Sequence, residues 1–154
     1  MDDIQEYLDD LKSANPGVRQ RATSELWAFW YRQAGEIAES QLMEGNHLMA
    51  ENQYGEAESV FSDLIHQFPS FAEGHNKLAT VLFLQGKFKQ SVDECEVTLE
   101  QNPHHFGAWN GKGICLYKLG RYDKAIKCFE MAMTIQPFAD INRGYIARCR
   151  GKLN

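Results

Sequence analysis

Long apolar runs and a basic excess are both missing from this sequence. A helix that spans a bilayer needs about 18 consecutive apolar residues, and no stretch of the chain approaches that length. Lysine and arginine number 16 against 21 acidic residues, which gives a formal net charge of −5. A general nucleic-acid-binding protein needs a basic face that displaces counterions from phosphates. We therefore expect neither a membrane span nor a nucleic-acid partner.

Cysteine is scarce, and its spacing forms no C-x-x-C pair. All four cysteines fall in segments with helical periodicity, which indicates small buried residues in a reducing compartment. The N-terminus is acidic, unlike a secretory signal or a transit peptide. These features predict a cytoplasmic location, or the plastid stroma if a transit peptide has been removed. The cysteines are Cys95, Cys115, Cys128 and Cys149.

Motifs of catalysis are also absent. The chain has no phosphate-binding glycine loop, no G-x-S-x-G and no H-E-x-x-H. No set of cysteines and histidines has the spacing of a zinc site. Only the adjacent His104 and His105 suggest a metal site, and neighbouring side chains rarely point to one ion. The sequence predicts a non-enzyme without cofactor or metal.

Proline occurs only four times, and three of the four prolines recur at a fixed spacing. Pro69, Pro103 and Pro137 are 34 residues apart. Proline cannot continue a helix, so each one marks the end of a repeated helical unit. This period divides the chain into repeats 38–71, 72–105 and 106–139, each with a helix A, a turn and a helix B.

The third repeat carries the most complete pattern. That pattern resembles the tetratricopeptide repeat, a helix–turn–helix unit of 34 residues. Two further segments, Ala72–Thr80 and His105–Ala108, with Leu26-Trp27 upstream, are similar to short tetratricopeptide proteins of bacteria and plastids. The residues that match in the third repeat are Trp109, Gly113, Leu116, Gly120, Tyr122, Ala125, Phe129, Ala132 and Pro137.

The resemblance implies an all-α fold. It predicts one domain over 1–154, a right-handed α–α superhelix, with a capping helix over 140–151 that covers the last repeat. The second repeat departs from the pattern at Cys95, where a large aromatic residue is usual. A small residue at a packing position leaves a cavity unless something compensates for it.

Residues 1–35 permit two interpretations. They show two helical stripes, one around Leu8 and one around Leu26, with a break at Asn15-Pro16. They form either a degenerate repeat that stacks before repeat 38–71, or a separate helical pair that caps this repeat or lies in the groove. Trp30 weighs against the first interpretation, because it occupies a slot that normally holds alanine.

The resemblance also implies that the A helices line a concave, partner-binding groove. An asparagine in each repeat could hydrogen-bond a peptide backbone without demanding a charge, and two glycines remove side chains from the wall, which leaves room for a partner side chain. The predicted groove residues are Asn46, Met49, Asn76, Lys77, Thr80, Phe83, Gly107, Asn110, Gly111, Ile114, Tyr117 and Arg148.

We therefore expect a non-catalytic scaffold or adaptor that binds a peptide or helical segment of a protein partner. The chaperone-tail clamp of the family holds a C-terminal carboxylate with lysine, arginine and asparagine. Of the five matching positions only one agrees, so Hsp70 and Hsp90 tails are not expected as partners. The five positions are Leu42, Asn46, Lys77, Gly107 and Gly111.

Two alternatives remain open. Residues 1–15 carry a local charge of −4 and residues 138–154 a local charge of +3. With exposed Trp27 and Trp30, these ends could join copies head to tail into a homo-oligomer. The other alternative is a thiol- or metal-responsive protein, because arginines flank Cys149 and nearby cations lower a thiol pKa.

Overall fold

A computed structural model describes residues 3–154, and the described part of the chain forms nine α-helices and no strand. The expectation of an all-α superhelix is confirmed. None of the helices in this range is long and apolar enough to cross a membrane. The helices are α1 (Asp3–Asp10), α2 (Pro16–Arg32), α3 (Glu36–Ala50), α4 (Tyr54–Gln67), α5 (Ala72–Leu84), α6 (Phe88–Gln101), α7 (Phe106–Lys118), α8 (Tyr122–Ile135) and α9 (Asp140–Leu153).

Three helical hairpins, α3–α4, α5–α6 and α7–α8, follow one another along the chain and pack in that order. Small residues bring the two helices of a hairpin together. A Cβ atom on Gly113 would lie 2.8 Å from the Phe129 ring, and one on Gly45 would overlap the Phe61 ring. Both rings are fully buried. In the first and third hairpins, Phe61 and Phe129 therefore fill the space that a glycine of the A helix leaves.

The A helices end at residues with left-handed backbone geometry. Gly86 and Gly120 have φ values of 77° and 75°, and Asn52 occupies the equivalent position at 62°. Glycine adopts this geometry without steric cost, and asparagine tolerates it better than most residues. The same tight turn into the B helix thus recurs in all three hairpins.

Helix α2 lies across the superhelix instead of stacking before its first hairpin. The Trp30 ring stacks on the His105 imidazole with a centroid distance of 4.6 Å, and the Trp27 ring meets Phe106 edge-on at 5.4 Å. Nearer its N-terminus, the Arg19 guanidinium lies 4.2 Å above the Phe138 ring. Helix α2 therefore reaches from the start of α7 to the turn between α8 and α9.

The degenerate-repeat interpretation of residues 1–35 is wrong, because a unit stacked before α3 would not reach α7 or the turn between α8 and α9. Trp30 is the physical reason. Its ring is too large for the slot that Ala57 and Ala125 fill in the hairpins, and it is buried instead against α7, with 3% of its surface exposed. Helix α1 packs on α2 and extends the same buried cluster through Leu8 and Leu11.

Candidate peptide-binding groove

A pocket of about 210 Å³ opens between helices α5 and α7. Phe83 and Ile114 supply apolar surface, and Thr80 and Asn110 supply polar groups. The side of α7 that lines it carries Gly107 and the other residues at i+3, i+4 and i+7 from it, so one face of the helix forms the wall.

The small residues of the second repeat explain this pocket. Cys95 stands where Phe61 and Phe129 fill the other hairpins, and its thiol reaches less far across the helix pair. A Cβ atom on Gly111 would have the Cys95 sulfur, 3.8 Å away, as its nearest contact, so the glycine leaves open space above that sulfur. The substitution of a small residue for an aromatic one thus leaves a surface pocket in the groove.

Seven of the twelve predicted groove residues line this pocket. Asn46 and Met49 lie apart from it on α3, Lys77 lies beneath α2, and Tyr117 and Arg148 lie toward α9. The predicted set is therefore brought together at its centre and spread out at its ends. The seven are Asn76, Thr80, Phe83, Gly107, Asn110, Gly111 and Ile114.

The three groove asparagines, Asn46, Asn76 and Asn110, form side-chain hydrogen bonds within the chain through their NH2 groups. The Asn76 side chain donates to the Glu73 carboxylate at 3.0 Å, and the Asn110 side chain donates to Asn142 at 2.8 Å. The side-chain oxygen of Asn46 is buried and has no hydrogen-bond partner among the described residues. Asn110 keeps an acceptor oxygen and is half-buried beside the pocket, so it is the asparagine best placed to meet a partner.

Helix α2 covers the other part of the groove wall. Its Trp27 ring occupies the space beside Gly107, where a Cβ atom would lie 2.9 Å from the ring. The Lys77 ammonium lies 5.2 Å from the centre of the Tyr31 ring and 5.7 Å from that of Trp27. Two predicted partner-binding residues, Lys77 and Gly107, are therefore contacted by the chain's own helix.

A buried ion-dipole network lies beneath α2. The Glu73 carboxylate and the His105 imidazole, both fully buried, meet at 2.7 Å. The His105 Nδ1 atom accepts the backbone N–H of Ala108, so its Nε2 atom carries the proton and donates it to Glu73. His105 is thus held as the neutral imidazole and caps the start of α7.

Sequence reasoning did not predict that Trp27 and Trp30 close over Glu73 and His105. A signal was present, because a carboxylate at the start of one A helix and a histidine at the start of the next are placed to meet when repeats stack. The head-to-tail alternative assumed exposed tryptophans, and that premise is wrong, since Trp30 is buried and Trp27 half-buried.

The premises of the thiol and metal alternatives are also wrong. Cys149 is fully buried, and this burial raises the pKa of its thiol. The flanking Arg148 and Arg150 lie exposed. His104 is exposed while the neighbouring His105 is buried on Glu73, so the two rings do not share an ion site. Among residues 3–154, no group of three metal-ligating side chains comes together.

Comparison with known proteins identifies the same kind of repeat. Two sequence models described as tetratricopeptide repeat match residues 42–102 and 107–138, which together exceed half of the chain. A TPR repeat-containing protein of Rhizobium etli is 33% identical over 69 residues, which cover 45% of this chain and 34% of that protein. Hsp70-Hsp90 organizing protein 3 of Arabidopsis thaliana is 23% identical over 118 residues, or 77% of this chain and 21% of that protein. The chain thus matches only a minor part of the length of these relatives.

Solved structures share the fold. The first TPR domain of Spaghetti, bound to an HSP90 peptide, superposes with a TM-score of 0.74 at 18% identity, over 75% of this chain and 92% of that one. The Arabidopsis OM64 TPR domain gives a TM-score of 0.72 at 19% identity, over 75% and 95%.

Stacked helical hairpins with a groove along their A helices define an α-solenoid repeat protein. The 34-residue period and the two matching sequence models then specify the kind of repeat. The chain belongs to the tetratricopeptide repeat family.

Proposed function

We propose that this protein is a non-catalytic interaction scaffold that binds a peptide segment of a protein partner in the open part of its groove. The pocket between α5 and α7 carries this proposal. It has apolar walls and a few polar groups, which is the usual composition of a site that receives one anchoring side chain. Among the solved structures that share the fold, the Spaghetti domain holds an HSP90 peptide.

The geometry favours an apolar anchor over an acidic tail. At the positions of the chaperone-tail clamp, Leu42 is fully buried, Lys77 lies beneath α2, and Gly107 and Gly111 carry no cation. By contrast, Phe83 and Ile114 present apolar surface beside Thr80 and Asn110. We infer a partner segment that places an aliphatic or aromatic side chain above Cys95 and hydrogen-bonds its backbone to Asn110.

Filling the pocket tests the proposal. Gly111→Leu places a side chain into it, and a Cβ there makes only an ordinary van der Waals contact with Cys95. Peptides are first selected on the wild-type protein from a random phage-displayed library. We expect them to share an apolar residue and to bind Gly111→Leu at least about tenfold more weakly, because the added side chain occupies the anchor's place.

Gly144→Leu is the matched control. Gly144 lies inside α9, and a Cβ there meets no heavy atom within 4 Å. Both substitutions replace a helical glycine and raise helix propensity by a similar amount, so thermal melting should show both variants folded. Equal binding of the selected peptides to both variants would contradict the proposal.

A further inference from the structure

A second opening lies on the other side of α7. It is a trough of about 980 Å³ between α6 and α8, with α7 as its floor. Trp109, Lys112 and Leu116 form the floor, whereas Gly107, Gly111 and Ile114 line the groove pocket. At 100° per residue, the two sets occupy opposite faces of α7. The trough is therefore a second surface, separate from the groove.

Lys112 explains why the trough is open. It stands at the seventh position of its repeat, where the second repeat has the buried Leu78. A lysine there must carry its ammonium out to water. It does so beside Glu96, at 3.5 Å, and 5.9 Å from the Trp109 ring. The space that a leucine would fill between α6 and α8 therefore stays open to solvent.

The lining of the trough is net positive, whereas the whole chain is net negative. Five cations and three carboxylates line it, although the whole chain carries −5. Within residues 3–154, Lys112 alone among these cations forms an ion pair, and the other four are exposed. Lys124 and Lys127 lie three residues apart on α8 and therefore on one face. The four exposed cations are Lys89, Arg121, Lys124 and Lys127.

The walls favour a helical occupant. An extended peptide needs backbone groups to bond with, and the backbone groups inside α6, α7 and α8 are already used within those helices. A helix satisfies its own backbone and needs only an apolar stripe. The lining along α8 and its N-cap runs from Arg121 to Thr134, which spans roughly 20 Å at 1.5 Å per residue. Met131, 42% exposed, continues the apolar floor onto this wall.

We propose that this trough binds an acidic amphipathic helix of a partner protein. The apolar stripe of that helix lies on Trp109, Leu116 and Met131, and its carboxylates pair with the cations along α8. This interaction is independent of peptide binding in the groove, since the two sites share no residue. A scaffold with both sites holds two partners on opposite faces of one helix.

The probe is a fluorescein-labelled 15-residue peptide with leucine at i, i+3, i+4 and i+7 spacing and glutamate on the remaining face. Its matched partner has lysine for every glutamate. We expect the glutamate peptide to bind the full chain in fluorescence anisotropy at low salt, with the lysine peptide much weaker. In NMR spectra of the isotope-labelled protein, the amide signals of α6, α7 and α8 around the trough should shift when the glutamate peptide is added.

The double variant Lys124→Glu/Lys127→Glu should bind the glutamate peptide about tenfold or more weakly, because two favourable charge pairs become repulsive. Arg150→Glu/Lys152→Glu changes the net charge equally on exposed residues of α9 and should leave the affinity within about twofold. Melting curves confirm that both variants fold. Gly111→Leu, which fills the groove pocket, should leave this binding unchanged.

Three results overturn the proposal. They are equal binding of the glutamate and lysine peptides, equal loss in the two charge variants, and spectral shifts at Thr80, Asn110 and Ile114 instead of the trough. Absence of binding by the glutamate peptide up to about millimolar concentration, where even weak complexes form, overturns it as well. Of these results only the shifts at Thr80, Asn110 and Ile114 bear on the groove, because those residues line its pocket.

Discussion

The most constrained residue in the molecule is His105. Its two ring nitrogens are committed to the Ala108 N–H and to Glu73, and its face is stacked on Trp30. A carboxylate taken out of water is costly unless it is hydrogen-bonded. His105 therefore sustains the buried charge of Glu73, assisted by Asn76 and by Lys77, whose ammonium is 4.0 Å from the same carboxylate.

Replacement of His105 by alanine should lower the free energy of unfolding by about 3 kcal/mol, because it leaves Glu73 buried without its principal donor and removes the helix cap. Urea denaturation measures this. His104→Ala is the control, since that side chain is exposed and should change stability by less than about 0.5 kcal/mol. Similar midpoints for the two variants would show that Glu73 does not depend on His105.

His75 is the charged counterpart of His105. Its two nitrogens meet two acceptors, the Glu94 carboxylate at 2.8 Å and the Pro69 carbonyl at 2.9 Å, and this arrangement favours the protonated ring, in which both nitrogens donate. Burial by itself would lower the pKa of His75, but these hydrogen bonds hold it above the ordinary 6.5. Two histidines near the starts of A helices thus have different hydrogen-bond partners: His75 meets two acceptors, and His105 meets one donor and one acceptor.

The raised pKa of His75 predicts a pH dependence of stability. Stabilisation by the imidazolium is fully present below pH 6.5 and is lost as the pH rises through the higher pKa of the folded state. The melting temperature of the wild type should therefore exceed that of His75→Gln most at about pH 6, and the difference should shrink toward about pH 8.5. A difference that is constant or grows with pH would contradict this assignment.

At the scale of the element, α2 is the helix that packs across the repeats and covers part of their groove wall. Trp30→Ala should cost about 3–5 kcal/mol, because it opens a cavity between α2 and α7. Phe29→Ala on the same helix removes a side chain that is 46% exposed and should cost less than about 1 kcal/mol. Thermal and urea unfolding measure the loss of stability in each variant. Equal losses in the two variants would mean that Trp30 does not anchor α2.

The position of α2 also shows where sequence reasoning stops. The bounds of α3 to α8 follow from local rules, since proline, glycine and helical periodicity act within a few residues. The pocket was foreseeable in part, because Cys95 for an aromatic residue and Gly111 on the wall both remove volume. The side on which Trp27 and Trp30 are buried depends on residues 105–138, and periodicity carries no information about which distant surface an apolar stripe meets.

At the scale of the whole molecule, α7 is the shared element. One of its faces lines the groove pocket, and the opposite face forms the floor of the trough. Both openings arise where a residue departs from the repeat pattern, Cys95 in one and Lys112 in the other. Positions that would otherwise complete the core thus become candidate binding surfaces, at the cost of some packing.

The contact of Arg19 with Phe138 has a consequence for the order in which the chain folds. Repeat hairpins form from neighbours in sequence, but α2 finds its surface only when residues more than a hundred positions away are in place. Closing so long a loop is slow compared with forming a hairpin. During synthesis Trp27 and Trp30 emerge before His105 and Phe106, on which they pack.

Refolding should therefore be biphasic, with helix formation measured by circular dichroism ahead of a slower tryptophan fluorescence change that reports α2 docking. Trp109→Phe removes the remaining tryptophan outside α2 and isolates that signal. If both probes follow one rate, α2 docks together with the hairpins. If α2 lags, a helix that precedes the hairpins in the chain is the last to reach its place.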